Sequence, residues 1–172
     1  MTRREQVAFL IGTLLAEMPE YRQQAAAFPA DDAAQRRLLR SLMNVRPPMP
    51  LDPGFLEVQD ALLSAEREER GVVDGAALMP TAADPRLVLW QGDITRLRAD
   101  AIVDADNAAL LGCFAPCHGC IDNAIHSAAG LQLRDECAAI MGAQGQPEPA
   151  GRGKLTRGYN LPARDVVHTV GP

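Results

Sequence analysis

Apolar residues recur at steps of three and four through the N-terminal stretch, where Val7, Leu10, Ile11, Leu14, Leu15 and Met18 fall on one stripe of a helix. Thr2 and Glu5 stand at capping-box spacing in front of it, each able to satisfy an orphan amide of the first turn. A second helix is predicted from Asp31 as its cap through Leu38, Leu39, Leu42 and Met43. Pro47, Pro48 and Pro50 stop it, since proline lacks the amide and clashes with the preceding turn. A third starts with Asp52 as cap and Pro53 in the first position, carries Phe55, Val58, Leu62 and Leu63 inward, and ends by Gly71. Its charged run from Glu66 to Arg70 reads as a solvated end.

Near Asp84-Pro85 the pattern changes. Short apolar runs bounded by turn residues predict strands at 87–90, 101–103, 154–161 and 166–170, the first of them buried. Helical spacing returns over 121–129, and Leu133, Cys137, Ile140 and Met141 share a face of a further helix. Strands alternating with helices imply an α/β fold with a largely parallel sheet. The expected organisation is a helical N-terminal extension over 1–84, then an α/β domain over 85–172.

Composition narrows the function classes. Of the 172 residues 47% are apolar and 23% charged, which fits a folding chain and excludes a disordered one. Aromatics at 4% and a net charge of −5 argue against nucleic acid as a partner. No apolar stretch approaches the ~20 residues needed to span a bilayer, and no small-residue cleavage site follows Met1-Thr2-Arg3-Arg4. The expected location is the cytoplasm, with no membrane partner.

Cys113, Cys117 and Cys120 crowd into one short stretch with His118 among them, the spacing of a metal or redox site rather than of a disulfide framework. Cys113, His118 and Cys120 offer two thiolates and an imidazole, a set suited to zinc with one coordination position left open. Adjacent side chains seldom turn onto one ion, so Cys117 is not expected beside His118 in that set. The rival readings are a redox pair, Cys117 and Cys120, at a helix start, and buried inert thiols. Cys137 and His168 read as core residues, and His126 as an ion-pair partner of Asp122 four residues earlier. Gly151-Arg152-Gly153-Lys154 fails as a phosphate loop because a strand, not a helix, follows it.

The segment Trp90-Gln-Gly-Asp-Ile-Thr95 and the stretch from Gly112-Cys113 through Cys120-Ile-Asp-Asn-Ala-Ile-His126 to Gly130 resemble the zinc-dependent macrodomains of microbes, hydrolases that remove ADP-ribose from proteins. Leu42 to Pro48, Gln59-Asp60, Tyr159 to Pro162 and His168 to Pro172 extend the resemblance along the chain. It implies a partial, macrodomain-like three-layer α/β/α sheet. It implies that Asp93 accepts the adenine amino group with Ile94 lining the pocket, and that Asn107 holds the distal ribose. It further implies that Cys113, His118 and Cys120 hold zinc and that Asp122 assists proton transfer. Taken alone, Asp93 is equally a turn carboxylate and Asp122 a first-turn acid favoured by the helix dipole. The implied partners are ADP-ribose and an ADP-ribosylated protein, with a lipoyl-carrier-like protein as one candidate substrate. The alternatives are a non-catalytic ADP-ribose or zinc binding module and a thiol-redox protein.

Two departures stand out. The family pattern Asn-Ala-Ala-Asn is here Asp104-Ala105-Asp106-Asn107, which adds two negative charges that would repel a diphosphate unless they protonate or turn away. The family also continues past the Val-Gly-Pro of 170–172 with a second glycine-containing phosphate loop. The expectation is therefore a C-terminally truncated macrodomain with impaired turnover, its strand 166–170 short of neighbours.

Overall fold

The computed structural model describes residues 1–171; Pro172, the last residue of the 168–172 motif, lies outside the described residues. The N-terminal half is helical. Helices α1 (Arg3–Glu17), α3 (Asp32–Val45) and α4 (Pro53–Arg70) pack together, with the short α2 (Arg22–Ala26) between the first two. The caps are those expected: Thr2 and Glu5 close a capping box on α1, Asp31 accepts from the Ala34 amide, and Asp52 accepts from the Phe55 amide. Leu10, Leu14, Leu39, Phe55 and Leu62 form the centre of this unit's core. The buried Arg46 side chain closes its base, donating to Glu17 and to the Met49 and Pro50 carbonyls.

The second half departs from expectation at its start. Residues 87–90 are not a buried strand: Leu87 and Leu89 are exposed, and one bridge from Val88 to Pro80 is their only ladder contact among the described residues. The apolar run is real, but a strand is buried only when another strand and a covering layer reach it. Instead β1 (Val73–Asp74) pairs in parallel with β2 (Leu97–Arg98), two short segments with no apolar pattern to announce them.

The main sheet contains β3 (Ala101–Asp106), β4 (Gly153–Arg157) and β5 (Asp165–Val170) in the order β3-β5-β4. It is mixed rather than largely parallel, since β3 runs parallel to β5 and β4 antiparallel to it. The strand at 166–170 is the central one, flanked on both sides. Helices α5 (Ile121–Ala129) and α6 (Leu131–Gln144) cover one sheet face, with Ile102, Ile125, Leu133 and Val166 beneath them.

Gly130 joins these helices at φ +101, and a Cβ there would meet the Gln59 amide at 2.7 Å. The close approach lets Gln59 Oε1 accept from the Leu131 amide, while Asn160 donates to Asp60 and to the Ala129 carbonyl. The Gln59-Asp60 pair is thus a polar seam between the helical unit and the sheet unit.

Candidate functional site

Strand β3 alternates strictly, with Ala101, Val103 and Ala105 outward and Ile102, Asp104 and Asp106 inward. Asn107 follows at its carboxyl end, exposed, its side-chain oxygen accepting from the Ala109 amide to start the turn. The connection then needs Gly112 at φ +79, because a Cβ there would stand 2.9 Å from the His126 ring. The loop 113–120 crosses the end of the sheet and enters α5.

Within that loop the ligand atoms of Cys113, His118 and Cys120 all lie within 4.8 Å of one another, with Cys113 Sγ 3.6 Å from His118 Nδ1. His118 is exposed and the two cysteines are half-buried. Cys117 turns elsewhere. Its backbone sits at φ 51, its amide donates to Asn44 Oδ1, and its sulfur lies 3.3 Å from Ser41 Oγ on α3. Cys120 caps α5, its sulfur accepting from the Asn123 amide, and burial pushes its thiol pKa up.

Asp122, in the first turn of α5, is buried, with Oδ1 3.5 Å from His126 Nε2. Burial, reinforced by Asp106 and Asp104, pushes its carboxyl up to about 8. Asp122 and His126 stand four residues apart and face each other as expected, while burial and the nearby Arg134 charge push His126 down to about 3. His168 is a core residue as expected. Its Nε2 shares a hydrogen bond with Thr156 Oγ1 at 2.9 Å, while Nδ1 faces Asp104 and Asp106, each at 3.5 Å. Burial alone would lower its pKa, but the two carboxylates more than reverse that and raise it to about 11. Asp104 and Asp106 therefore turn inward toward His168 rather than out to solvent.

Asp93 lines a groove of about 620 Å³ between α3, α4 and α5, together with Arg36, Arg37, Arg40, Cys117 and Ser127, whereas Ile94 does not line it. Asp93 is held by its own turn, accepting from the Thr95 amide and hydroxyl, with Arg70 Nη1 3.4 Å from its other oxygen. Ile94 is half-buried against the sheet core. The structure thus gathers Cys113, His118 and Cys120 into one cluster, sets Asp122 in the first turn of the helix that follows, and places Asp93 along the groove.

Residues 103–172 match the family described as Macro domain. This segment is similar to Macro domains. Over its whole length the chain is 47% identical to a protein-ADP-ribose hydrolase of Treponema medium, covering 66% of that protein. Over 78% of its length it is 50% identical to a protein-ADP-ribose hydrolase of Staphylococcus aureus, covering 50% of that one. The chain therefore spans half to about two thirds of the length of these curated relatives. A Trypanosoma brucei macrodomain solved in complex with ADP-ribose is 32% identical, with a TM-score of 0.53 over 77% of this chain and 59% of that one. The fold is that of a macrodomain, mixed α/β.

Three residues that seat the loop, Arg40, Asn44 and Arg134, escaped the sequence reading. Arg40 on α3 donates to Asn123 and Ser127 of α5, and Asn44 donates to Ser127. Arg134 on α6 donates to the Leu111, Met43, Asn44 and Arg46 carbonyls, with its guanidinium 4.3 Å above the Phe114 ring. Charged residues on helices read as surface, and only the tertiary fold reveals what they hold.

Proposed function

We propose that this chain carries the zinc-holding loop and the adenosine end of a protein-ADP-ribose hydrolase, which splits the bond between ADP-ribose and a protein side chain. The observation carrying this reading is the Cys113, His118 and Cys120 cluster, beside a groove lined by arginines that leads to Asp93. Two thiols and an imidazole within 4.8 Å, with His118 exposed, form a donor set that suits zinc and leaves a position for substrate oxygen. Zinc bound there supplies a Lewis acid that polarises an oxygen.

The protein's own groups do the rest. Asp93 accepts from the adenine amino group beside Ile94. Arg37 and Arg40 offer planar donors suited to a diphosphate. Asn107, at the carboxyl end of β3, positions the distal ribose, and Asp122 holds a proton at its carboxyl for transfer near the scissile bond. The substrate is an ADP-ribosylated protein, a lipoyl-carrier-like protein being one candidate, and the location is the cytoplasm, where crowded thiols stay reduced. No helix of the described residues is long and apolar enough to cross a membrane.

The test is release of free ADP-ribose from a modified protein, alongside metal analysis. Wild-type chain with zinc should release it. Cys113→Ala should lose the metal, and Asp122→Asn should slow release on the order of 10²-fold with metal retained. Zinc and ADP-ribose bound tightly with no release would replace this reading by a non-catalytic binding module.

A further inference from the structure

Beneath the Cys113 loop lies a second group of ligating side chains that the proposed hydrolysis does not use. Asp104 and Asp106 of β3, His126 of α5 and His168 of β5 each turn a ligand atom inward, and these atoms all lie within 4.8 Å of one another. All four residues are buried, Asp104 and His168 completely. Among the described residues, both Asp104 oxygens, Asp106 Oδ2, both His126 nitrogens and His168 Nδ1 have no hydrogen-bond partner. Buried polar atoms in native structures are almost always paired, so a run of orphans on one point calls for an occupant.

The distances say what kind. His168 Nδ1 stands 3.5 Å from both Asp104 Oδ2 and Asp106 Oδ2, and His126 Nε2 stands 3.9 Å from Asp104 Oδ2. These exceed hydrogen-bond lengths of roughly 2.7–3.2 Å. Ligands about 2.0–2.2 Å from a tetrahedral ion are separated by roughly 3.3–3.6 Å, which is the spacing seen around His168. The surrounding contacts orient the same atoms. Thr156 Oγ1 occupies His168 Nε2, which leaves Nδ1 to face the carboxylates. The Asn107 amide takes Asp106 Oδ1 and leaves Oδ2 inward. Gly112 packs on the His126 ring and fixes its plane. A proton on His168 would answer one carboxylate, and His126 Nε2 would still face Asp122 Oδ1 at 3.5 Å and Asp104 Oδ2 at 3.9 Å, both beyond ordinary hydrogen-bond length. A divalent cation answers both carboxylates and both rings at once.

We propose that Asp104, Asp106, His126 and His168 form a buried divalent-cation site, separate from the Cys113–His118–Cys120 loop. Its two imidazoles and two carboxylates suit a borderline transition ion such as zinc or iron(II) rather than calcium. The ion ties β3, β5 and α5 together, a structural role, and enters as the chain folds.

Cobalt(II) supplied during expression separates the two sites, because only thiolate ligands give an intense near-ultraviolet charge-transfer band. Wild-type chain should hold two cobalt ions and show that band. Cys113→Ser with Cys120→Ser should lose the band and keep one ion, seen by elemental analysis and by visible absorption alone. Asp104→Asn with Asp106→Asn should lose one ion and keep the band. The cysteine variant leaves the buried cluster untouched, so its count decides even where the carboxylate variant fails to fold. No cobalt in the folded cysteine variant would overturn the proposal and assign the cluster to a proton on His168. Loss of the band in wild type with one ion retained would refute the loop's metal and leave this site standing.

Discussion

Arg134 spends its charge on carbonyls. Its guanidinium serves the end of α3 through Met43 and Asn44, the following turn through Arg46, and the segment leading into the 113–120 loop through Leu111. Arg134→Met keeps the bulk but leaves these acceptors orphaned, each at a cost of roughly 1–3 kcal/mol when buried. The expected loss in urea unfolding is about 3–5 kcal/mol. A loss below about 1 kcal/mol would show that water takes over the carbonyls. Glu148 makes a prediction in pH. Hydrogen bonds from Gln144 and Lys154 hold its carboxylate below the usual glutamate range. A lowered folded pKa means that the unfolded chain binds the proton first, so this contribution is present at neutral pH and disappears as pH falls through the folded value. Glu148→Gln should therefore melt lower than wild type near neutrality, and the two melting curves should converge in acid. A gap that persists well below the usual glutamate range would assign the effect to packing instead.

At the scale of the element, Cys120 has two jobs that one substitution separates. It caps α5 through its sulfur, and it belongs to the proposed zinc set. Cys120→Ser offers a good capping oxygen and a poor zinc ligand, whereas Cys120→Ala offers neither. Both variants should lose the metal, and in metal-free protein only the alanine should destabilise α5, by about 1 kcal/mol. Metal-free serine and alanine variants of equal stability would remove the cap from the account. The same elements show what was legible in the chain. Helices α1, α3 and α4 could be read because period and cap both lie within a few residues, as at Thr2 with Glu5 and Asp52 with Pro53. The inward turn of Asp104 and Asp106 was also written there, since they continue the alternation begun by Ile102. The Cys113, His118 and Cys120 cluster was legible from spacing, because one short loop supplies all three. The strand at 87–90 was misread because burial depends on a partner that no local pattern specifies. Arg40, Arg134 and the Gln59 seam were hidden for the same reason: their partners across the two units lie more than seventy residues away in sequence.

For the whole molecule the question is how its two apolar clusters hold together. One is built from α1, α3 and α4, the other from the sheet with α5 and α6, and Leu131 of α6 is buried in the first. Arg40, Asn44, Gln59 and Arg134 cross between them with hydrogen bonds to α5, α6 and the 113–120 loop. The covalent link is far weaker in structure. Around Thr81 to Leu87 a small turn closes on itself, and the Arg86 side chain is 87% exposed and paired with Asp84. Exposed backbone with few buried contacts opens locally at little cost, and proteases cut such segments first. Trypsin under native conditions should therefore cut after Arg86 before it reaches the arginines inside α3, α4 and α6. The two fragments should still elute together at the size of the intact chain, because the interface that joins them does not run through the cut. They should part only in denaturant, and in a single transition that also melts the helices. The Arg134→Met variant, nicked in the same way, should release its fragments at lower denaturant than wild type. Fragments that separate at once in native buffer would show that the link, not the seam, keeps the helical unit on the sheet.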